Sequence, residues 1–69
     1  MEAYNKRKIN KIDFEKELKN KYGIIESAFI DNFNNEKHSI ERVFIYYKNN
    51  VHIASYDESK KLGWELKKD

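Results

Sequence analysis

The sequence predicts a compact α+β domain: one N-terminal helix on a three-stranded antiparallel meander, followed by a short C-terminal helix or edge strand. Residues 11–22 have apolar side chains at helical spacing and are followed by a glycine. Residues 40–56 contain two runs rich in β-branched and aromatic residues on either side of an Asn-Asn pair, which is typical of a β-hairpin. The predicted order of elements is therefore α-β-β-β-α.

A basic cluster, Lys6-Arg7-Lys8, lies before the predicted helix. Residues 1–9 show no apolar periodicity, so we expect them to form a loose N-terminal arm. Two interpretations stay open for this arm. It is either a solvated terminus or a contact to phosphate groups or an acidic protein surface.

The helix is predicted to run from about Lys11 to Tyr22. Asn10 precedes it as the N-cap, and Gly23 follows it in the position that favours a left-handed conformation. Ile24 is then expected to fold back onto Leu18. One apolar stripe should face the sheet, and it consists of Phe14, Leu18 and Tyr22.

The first strand is predicted at residues 24–33, and a polar connection leads from it into the hairpin. An antiparallel register sets Phe29 opposite Phe44. The same register sets Asp31 opposite Arg42, and both pairings are favourable across a ladder.

Strand alternation predicts apolar side chains on both faces of the sheet. One face would carry Ile25, Phe29, Phe33, Ile40, Phe44, Tyr46, Val51 and Ile53. The other would carry Ile24, Ala28, Ile30, Val43, Ile45, Tyr47, Ala54 and Tyr56. A single short helix can cover only one face. The second must be covered by the C-terminal segment with Leu62, Trp64 and Leu66, or by another molecule.

Residues 57–67 permit two structures. Ser55 or Asp57 could cap a short helix that ends at Gly63, or a loop could lead into a fourth strand that contains Trp64. The pattern does not separate the two.

Composition predicts a single cytoplasmic domain of 69 residues. The chain has no cysteine and a formal net charge of only +2, and it shows neither an apolar run that could cross a membrane nor a signal peptide. We expect no membrane partner. Frequent lysine, asparagine and isoleucine indicate AT-rich coding, as in a low-GC bacterium, its phages or its mobile elements.

No catalytic, cofactor or metal motif stands out, so the sequence predicts a protein that is not an enzyme. His38 and His52 are the only histidines, and no cysteine is present to complete a zinc site. Gly23 and Gly63 are the only glycines, so no glycine-rich loop could cradle a phosphate or form an oxyanion elbow.

The leading functional hypothesis is a small protein that docks on a larger protein, as an inhibitor or regulator of the sort phages and mobile elements encode. A second copy of the chain is another possible partner for the surplus apolar face. The expected contact residues belong to types enriched in interface hot spots, namely Arg42, Tyr46, Tyr47, Tyr56 and Trp64.

The alternative hypothesis is a nucleic-acid-binding module with Lys6, Arg7, Lys8, Lys60 and Lys61 on phosphates and a tyrosine or His52 stacked on a base. The predicted element order resembles the double-stranded-RNA-binding arrangement, in which Lys60 and Lys61 would begin the final helix. Small RNA-cleaving toxins share that arrangement, so the third hypothesis is a toxin acting through His38. Those toxins place their histidine after Gly-Ser, whereas this chain has Lys37 before His38.

Overall fold

Five strands and one helix form the fold of residues 4–66, the part of the chain that the computed structural model describes. The elements are β1 (Tyr4–Lys8), α1 (Lys11–Tyr22), β2 (Glu26–Asn34), β3 (Ser39–Lys48), β4 (Val51–Asp57) and β5 (Leu62–Leu66). The strands make one antiparallel sheet in the order β1-β5-β4-β3-β2. The predicted three-stranded meander and α-β-β-β-α order are therefore wrong, and the likeness in element order to double-stranded-RNA-binding domains falls with them.

The difference arises because the two terminal segments pair with each other. β1 is antiparallel to β5, with Lys6 opposite Trp64 and Arg7 opposite Gly63. Residues 4–8 are thus a strand rather than part of a loose basic arm, while residues 1–3 lie outside the described part. The C-terminal segment is the predicted strand alternative, not the helix ended by Gly63. This strand, β5, lies inside the sheet, between β1 and β4, rather than at its edge. Residue 67, the last residue of the predicted segment, lies outside the described residues.

The helix has the predicted bounds, but its ends differ in detail. Asn10 is the N-cap residue, yet its side chain makes no capping hydrogen bond. At the other end, Gly23 has a φ of 82°, and its N–H donates to the Lys19 carbonyl oxygen at 2.8 Å. Ile24 is 87% exposed, so the predicted contact with Leu18 is absent.

Both predicted cross-strand pairs of β2 and β3 are confirmed, since Phe29 lies opposite Phe44 and Asp31 lies opposite Arg42. The Asn-Asn turn of the next hairpin is confirmed as well. Its two residues have φ values of 51° and 65°, as a two-residue turn with left-handed residues at both positions requires.

A β-bulge in β4 changes which side chains face the helix. Between the positions opposite Tyr46 and Tyr47, β4 contains one extra residue, Ile53. Because side chains alternate along a strand, this insertion moves Ala54 and Tyr56 to the opposite face from the one predicted. They lie under the helix.

The core lies between α1 and the middle of the sheet. Its buried residues are Phe14, Leu18, Tyr46, Ile53, Ala54 and Tyr56. Ile9, Tyr22, Ile25 and Phe44 pack around them. Within the described residues, no helix has the length and apolar character needed to cross a bilayer.

Candidate interaction surface

The sheet face opposite α1 has no covering element among residues 4–66. We call it the open face. Following the registers from strand to strand, its apolar side chains are Ala28, Ile30, Val43, Ile45, Tyr47, Leu62, Trp64 and Leu66. The C-terminal segment was one of the two predicted covers for this face, the other being another molecule, but as β5 it widens the face instead. Most of these side chains are partly exposed and shield one another only from the sides.

Tyr47 and His52 form an aromatic pair on the open face, with ring centroids 5.8 Å apart. The His52 Nε2 atom lies 2.9 Å from Ser55 Oγ and 3.0 Å from the Ala54 carbonyl oxygen. A carbonyl oxygen only accepts, so the tautomer with a proton on Nε2 satisfies this contact. A protonated Nε2 cannot remove the serine proton, and the arrangement is therefore unsuited to activating Ser55 as a nucleophile.

Trp64 occupies the middle of the β5 part of the open face, between Lys6 on β1 and Ser55 on β4. Its indole Nε1 is shielded from solvent and has no hydrogen-bond partner within the described chain. A buried donor without an acceptor costs about 1–3 kcal/mol, so this indole N–H lowers the stability of the fold.

Lysines border the open face at its β1 edge. Lys6 and Lys8 alternate with Arg7 along β1, so they point to the open face while Arg7 points to the helix side. There Arg7 forms an ion pair with Glu17 of α1. Lys6 and Lys8 form no ion pair with any residue of the range 4–66.

Of the five expected protein-contact residues, only Tyr47 and Trp64 lie on the open face. Tyr46 and Tyr56 are each 1% exposed in the core beneath α1, where a partner cannot reach them. The Tyr46 hydroxyl donates to Glu15 at 2.7 Å, and the Tyr56 hydroxyl donates to the Ile9 carbonyl oxygen at 2.7 Å.

Burial and the neighbouring Glu15 carboxylate raise the pKa of Tyr46 far above its usual value. Burial also favours the neutral form of Glu15. Hydrogen bonds from Lys11 and Tyr46 outweigh that effect, so the pKa of Glu15 is lowered. This polar cluster is a structural link between helix and sheet.

Arg42, the fifth expected contact, lies on the helix side of the sheet beyond the end of the core. Its guanidinium makes two hydrogen bonds to Asp31, at 2.7 and 3.0 Å, and lies 4.2 Å from the ring centroid of Phe29. The hydrogen bonds to Arg42 lower the pKa of Asp31. Arg42 is thus occupied within the chain, next to an exposed aromatic ring.

The residues of the nucleic-acid hypothesis are brought together in part. Lys60 and Lys61 lie in the turn between β4 and β5, and the Ile9 N–H donates to the Lys61 carbonyl oxygen at 3.0 Å, which holds this turn beside the end of β1. Lys8, Lys60 and Lys61 border one surface depression. Arg7 is separated from them by its position on the helix side.

His38, the residue of the toxin hypothesis, is an exposed turn residue with a φ of 52° between β2 and β3. The described residues contain no group of three histidine, cysteine or carboxylate side chains that could hold a metal ion. The carboxylates of residues 4–66 that form ion pairs do so with Lys or Arg.

One feature of the surface was not anticipated from the sequence. Lys6 and Lys8 belong to a strand and line the open face. The alternation of Lys6 and Lys8 with Arg7 is a weak strand signal, because lysine is uncommon in strands.

Comparison of the chain with protein-family models, with curated proteins and with solved structures finds no match.

Proposed function

We propose that this protein works by docking its open face on a larger protein, without chemistry of its own. The observation that carries the proposal is the uncovered face with eight apolar side chains. Six of the eight are partly buried by their neighbours, and Ala28 and Ile30 are exposed, so the large side chains forgo only part of the roughly 1.5–3 kcal/mol that full burial of each would provide. Summed over the face, this loss is still a substantial fraction of the stability of a small domain.

The composition of the open face specifies a kind of partner. Its centre is aliphatic and aromatic, with Ile45, Tyr47 and Trp64, while one border has lysines that form no ion pair within residues 4–66. A partner helix or sheet with an apolar stripe and acidic residues along one side would complement this surface. We place this action in the cytoplasm, as the lack of cysteine favours, with a target in a low-GC bacterial host.

The test compares wild type with two isoleucine-to-lysine variants in affinity capture from a low-GC bacterial lysate. Ile45→Lys puts a charge in the centre of the open face. Ile12→Lys makes the same change on α1, where Ile12 is 68% exposed and away from the open face. Circular dichroism checks that both variants fold.

A stoichiometric protein retained by wild type and by Ile12→Lys, but lost by Ile45→Lys and by Tyr47→Ala, supports the proposal. The single tryptophan, Trp64, provides a second readout, because covering the open face should shift its fluorescence to shorter wavelength. Recovery of no stoichiometric partner, or equal retention by all the variants, argues against it.

A second candidate function, binding of single-stranded nucleic acid, is favoured by one specific observation. Lys6 and Lys8 lie on the same face as Trp64, and Lys60 and Lys61 lie at the adjacent turn. Basic side chains that follow a backbone beside aromatic rings are the usual arrangement for such binding.

Arg7 supplies a matched control for this candidate, because it is a neighbouring cation on the opposite face. We expect the affinity for a labelled oligonucleotide to fall steeply between about 50 and 200 mM salt. The double change of Lys6 and Lys8 to Ala should flatten that dependence, whereas Arg7→Ala should leave it nearly unchanged. No binding at low salt, or an equal effect of the two variants, rejects this candidate.

A further inference from the structure

The outer edge of β2 has no strand beside it in the described chain and has little of the protection that is usual for such an edge. β2 has nine residues with no proline, lysine or arginine, and it pairs with β3 without a register shift. Its two charged residues are Glu26, at the start of the strand, and Asp31, whose carboxylate is paired with Arg42. Exposed edges are commonly protected by a charge, a proline, a bulge or a short strand. β1, at the opposite edge, is protected, since three of its five residues are Lys or Arg.

Hydrogen-bond alternation across β3 indicates which backbone groups of β2 point outward. In a two-residue hairpin the residues that flank the turn exchange hydrogen bonds, so the backbone of Lys48 faces β4. The Arg42 carbonyl oxygen faces the same way, because it accepts from the Glu58 N–H at 3.0 Å. Even-numbered residues of β3 thus face β4, and odd-numbered ones face β2. It follows that the outward backbone groups of β2 belong to Ser27, Phe29, Asp31 and Phe33.

Large apolar side chains flank this free edge on both sides of the sheet. Phe29 and Phe33 lie on the helix side and are 55% and 61% exposed. Ile30 lies on the open face and is 51% exposed, and Ile40, opposite Phe33, is 67% exposed. The helix does not extend over this corner of the sheet. The edge therefore offers both unpaired backbone groups and apolar side chains to a strand placed beside it.

We propose that β2 pairs antiparallel with β2 of a second copy of this chain, in the register that sets Ile30 opposite its own counterpart. This register aligns the whole strand from Glu26 to Asn34. It sets Ser27 opposite Phe33 and Phe29 opposite Asp31, so outward backbone groups meet outward backbone groups. Such a ladder contains about eight N–H···O bonds.

The charges of β2 are compatible with its own copy. Glu26 would stand opposite Asn34, and at about 3.3 Å per residue the two Glu26 side chains would be roughly 26 Å apart. Asp31 is already paired with Arg42 in each chain, which reduces repulsion between the two copies. No like charges stand directly opposite each other. A strand from a different protein would have to match both the outward backbone groups and the side chains of β2. No feature of the described residues calls for such a protein.

The pairing has a consequence for the open face. A two-fold axis perpendicular to the sheet keeps both helices on one side, so the two sheets join into one of ten strands. The two open faces then form a single continuous surface. The pairing does not depend on the proposed function, since it uses the β2 edge rather than Trp64, which lies three strands away.

A cysteine substitution tests both the pairing and its register. Ile30 is an inward-facing residue of β2, so its pair with the other Ile30 lacks mutual hydrogen bonds and has a Cα separation of about 4.5 Å. That distance is within the range for a disulfide. The chain contains no cysteine, so Ile30→Cys introduces the only thiol. Under mild oxidation we expect rapid formation of a covalent dimer.

Ile12→Cys is the matched control, because it places a comparably exposed thiol on α1. Cross-linking of Ile30→Cys at least about tenfold faster than of Ile12→Cys supports the proposal. Equal rates overturn the proposed register and pairing.

Light scattering of the unmodified chain over a range of concentrations gives an independent measurement. We expect wild type to reach the mass of two chains as concentration rises. Phe29→Lys adds a charge to the free edge, and Ser27→Pro removes an outward N–H that the single chain does not use, so both should remain single chains. Ile24→Lys, just outside β2, should behave as wild type.

A single-chain mass for wild type at every concentration overturns the proposal. So does a dimer that survives both edge variants but is lost in Ile45→Lys, since that result indicates pairing through the open face. Trp64 fluorescence separates this proposal from the proposed function, because edge pairing should leave its emission unchanged.

Discussion

Phe14 of α1 packs directly against Gly63 of β5, so closely that a Cβ on the glycine would lie 2.7 Å from two carbon atoms of the phenyl ring. Gly63 stands between Arg7 and Tyr56 in the sheet. Only a residue without a Cβ leaves room for the Phe14 ring at this position. Gly63 is therefore a packing residue inside a strand and does not end a helix.

Gly63→Ala is therefore expected to destabilise the fold by about 1–3 kcal/mol, because the ring must move or the helix must shift. Urea unfolding measures the change. The double variant with Phe14→Leu should lose less stability than the sum of the two single variants, since leucine leaves room for the added methyl group. Strict additivity would contradict a direct clash.

Two carboxylates that link α1 to the sheet make stability depend on pH. Burial favours the neutral form of Glu65, but hydrogen bonds from Lys21 and Tyr22 outweigh it, so the pKa of Glu65 is lowered, as is that of Glu15. A carboxylate with a lowered folded pKa adds stability above its unfolded value near 4.5, and that stability is lost as pH falls through the folded value.

We expect the free energy of unfolding to decrease between pH 6 and pH 3, and the Glu15→Gln, Glu65→Gln double variant to show a flatter dependence. Urea unfolding across this pH range provides the measurement. Glu26→Gln is the control, because Glu26 has no ion pair or hydrogen bond to a side chain of the described residues. An unchanged slope in the double variant contradicts the assignment.

The bulge at Ile53 sets the arrangement of the core, because the extra residue after the Asn49-Asn50 turn places Ala54 and Tyr56 opposite Tyr46 and Phe44, on the helix side. Deletion of Ile53 leaves an unbroken hairpin in which both side chains keep these partners, so its cost is the loss of the buried Ile53 side chain. We expect the deletion to lower the free energy of unfolding by about 2–5 kcal/mol. Ile53→Val keeps the extra residue and should cost only about 0.5–1.5 kcal/mol. Urea unfolding measures both changes, and a deleted chain as stable as Ile53→Val would show that the bulge is dispensable.

Sequence patterns predicted those parts of the fold that local chemistry determines. The helix follows from the spacing of Phe14 and Leu18 and from Gly23, and the β2–β3 register follows from the pairing of aromatic and charged residues. The bulge was not predictable in the same way. A regular hairpin that begins at Asn49-Asn50 makes Tyr46 face Ile53, and only packing under the helix favours the shifted pairing.

The sequence did not predict β1, and it left the β5 segment open between a helix and a strand, for a different reason. The residues of β1 from Asn5 to Lys8 are all polar, and β5 contains a glycine, so neither has the propensity of a strand. Both become strands because they pair with each other, although they lie at opposite ends of the described chain. For the candidate surface, this means that Tyr47 and Trp64, which were chosen by residue type, lie on the open face, while Tyr46 and Tyr56, which were chosen in the same way, lie in the core.

The turn between β3 and β4 offers a stabilising substitution. Asn50 has a φ of 65°, a conformation that glycine adopts without strain, and Asn-Gly is the preferred pair for this turn. Asn50→Gly should raise stability by about 0.5 kcal/mol, which corresponds to about 2–4 °C in Tm for a domain of this size. Calorimetry or circular dichroism measures the shift.

Asn35→Gly is the control for that substitution, because Asn35 lies in the turn between β2 and β3 and does not have a positive φ. Glycine there only increases the entropy of the unfolded chain, so Tm should fall slightly or stay the same. An equal rise in both variants would mean that the gain is unrelated to the left-handed conformation. A fall in Asn50→Gly alone would mean that the asparagine side chain makes a stabilising contact that glycine removes.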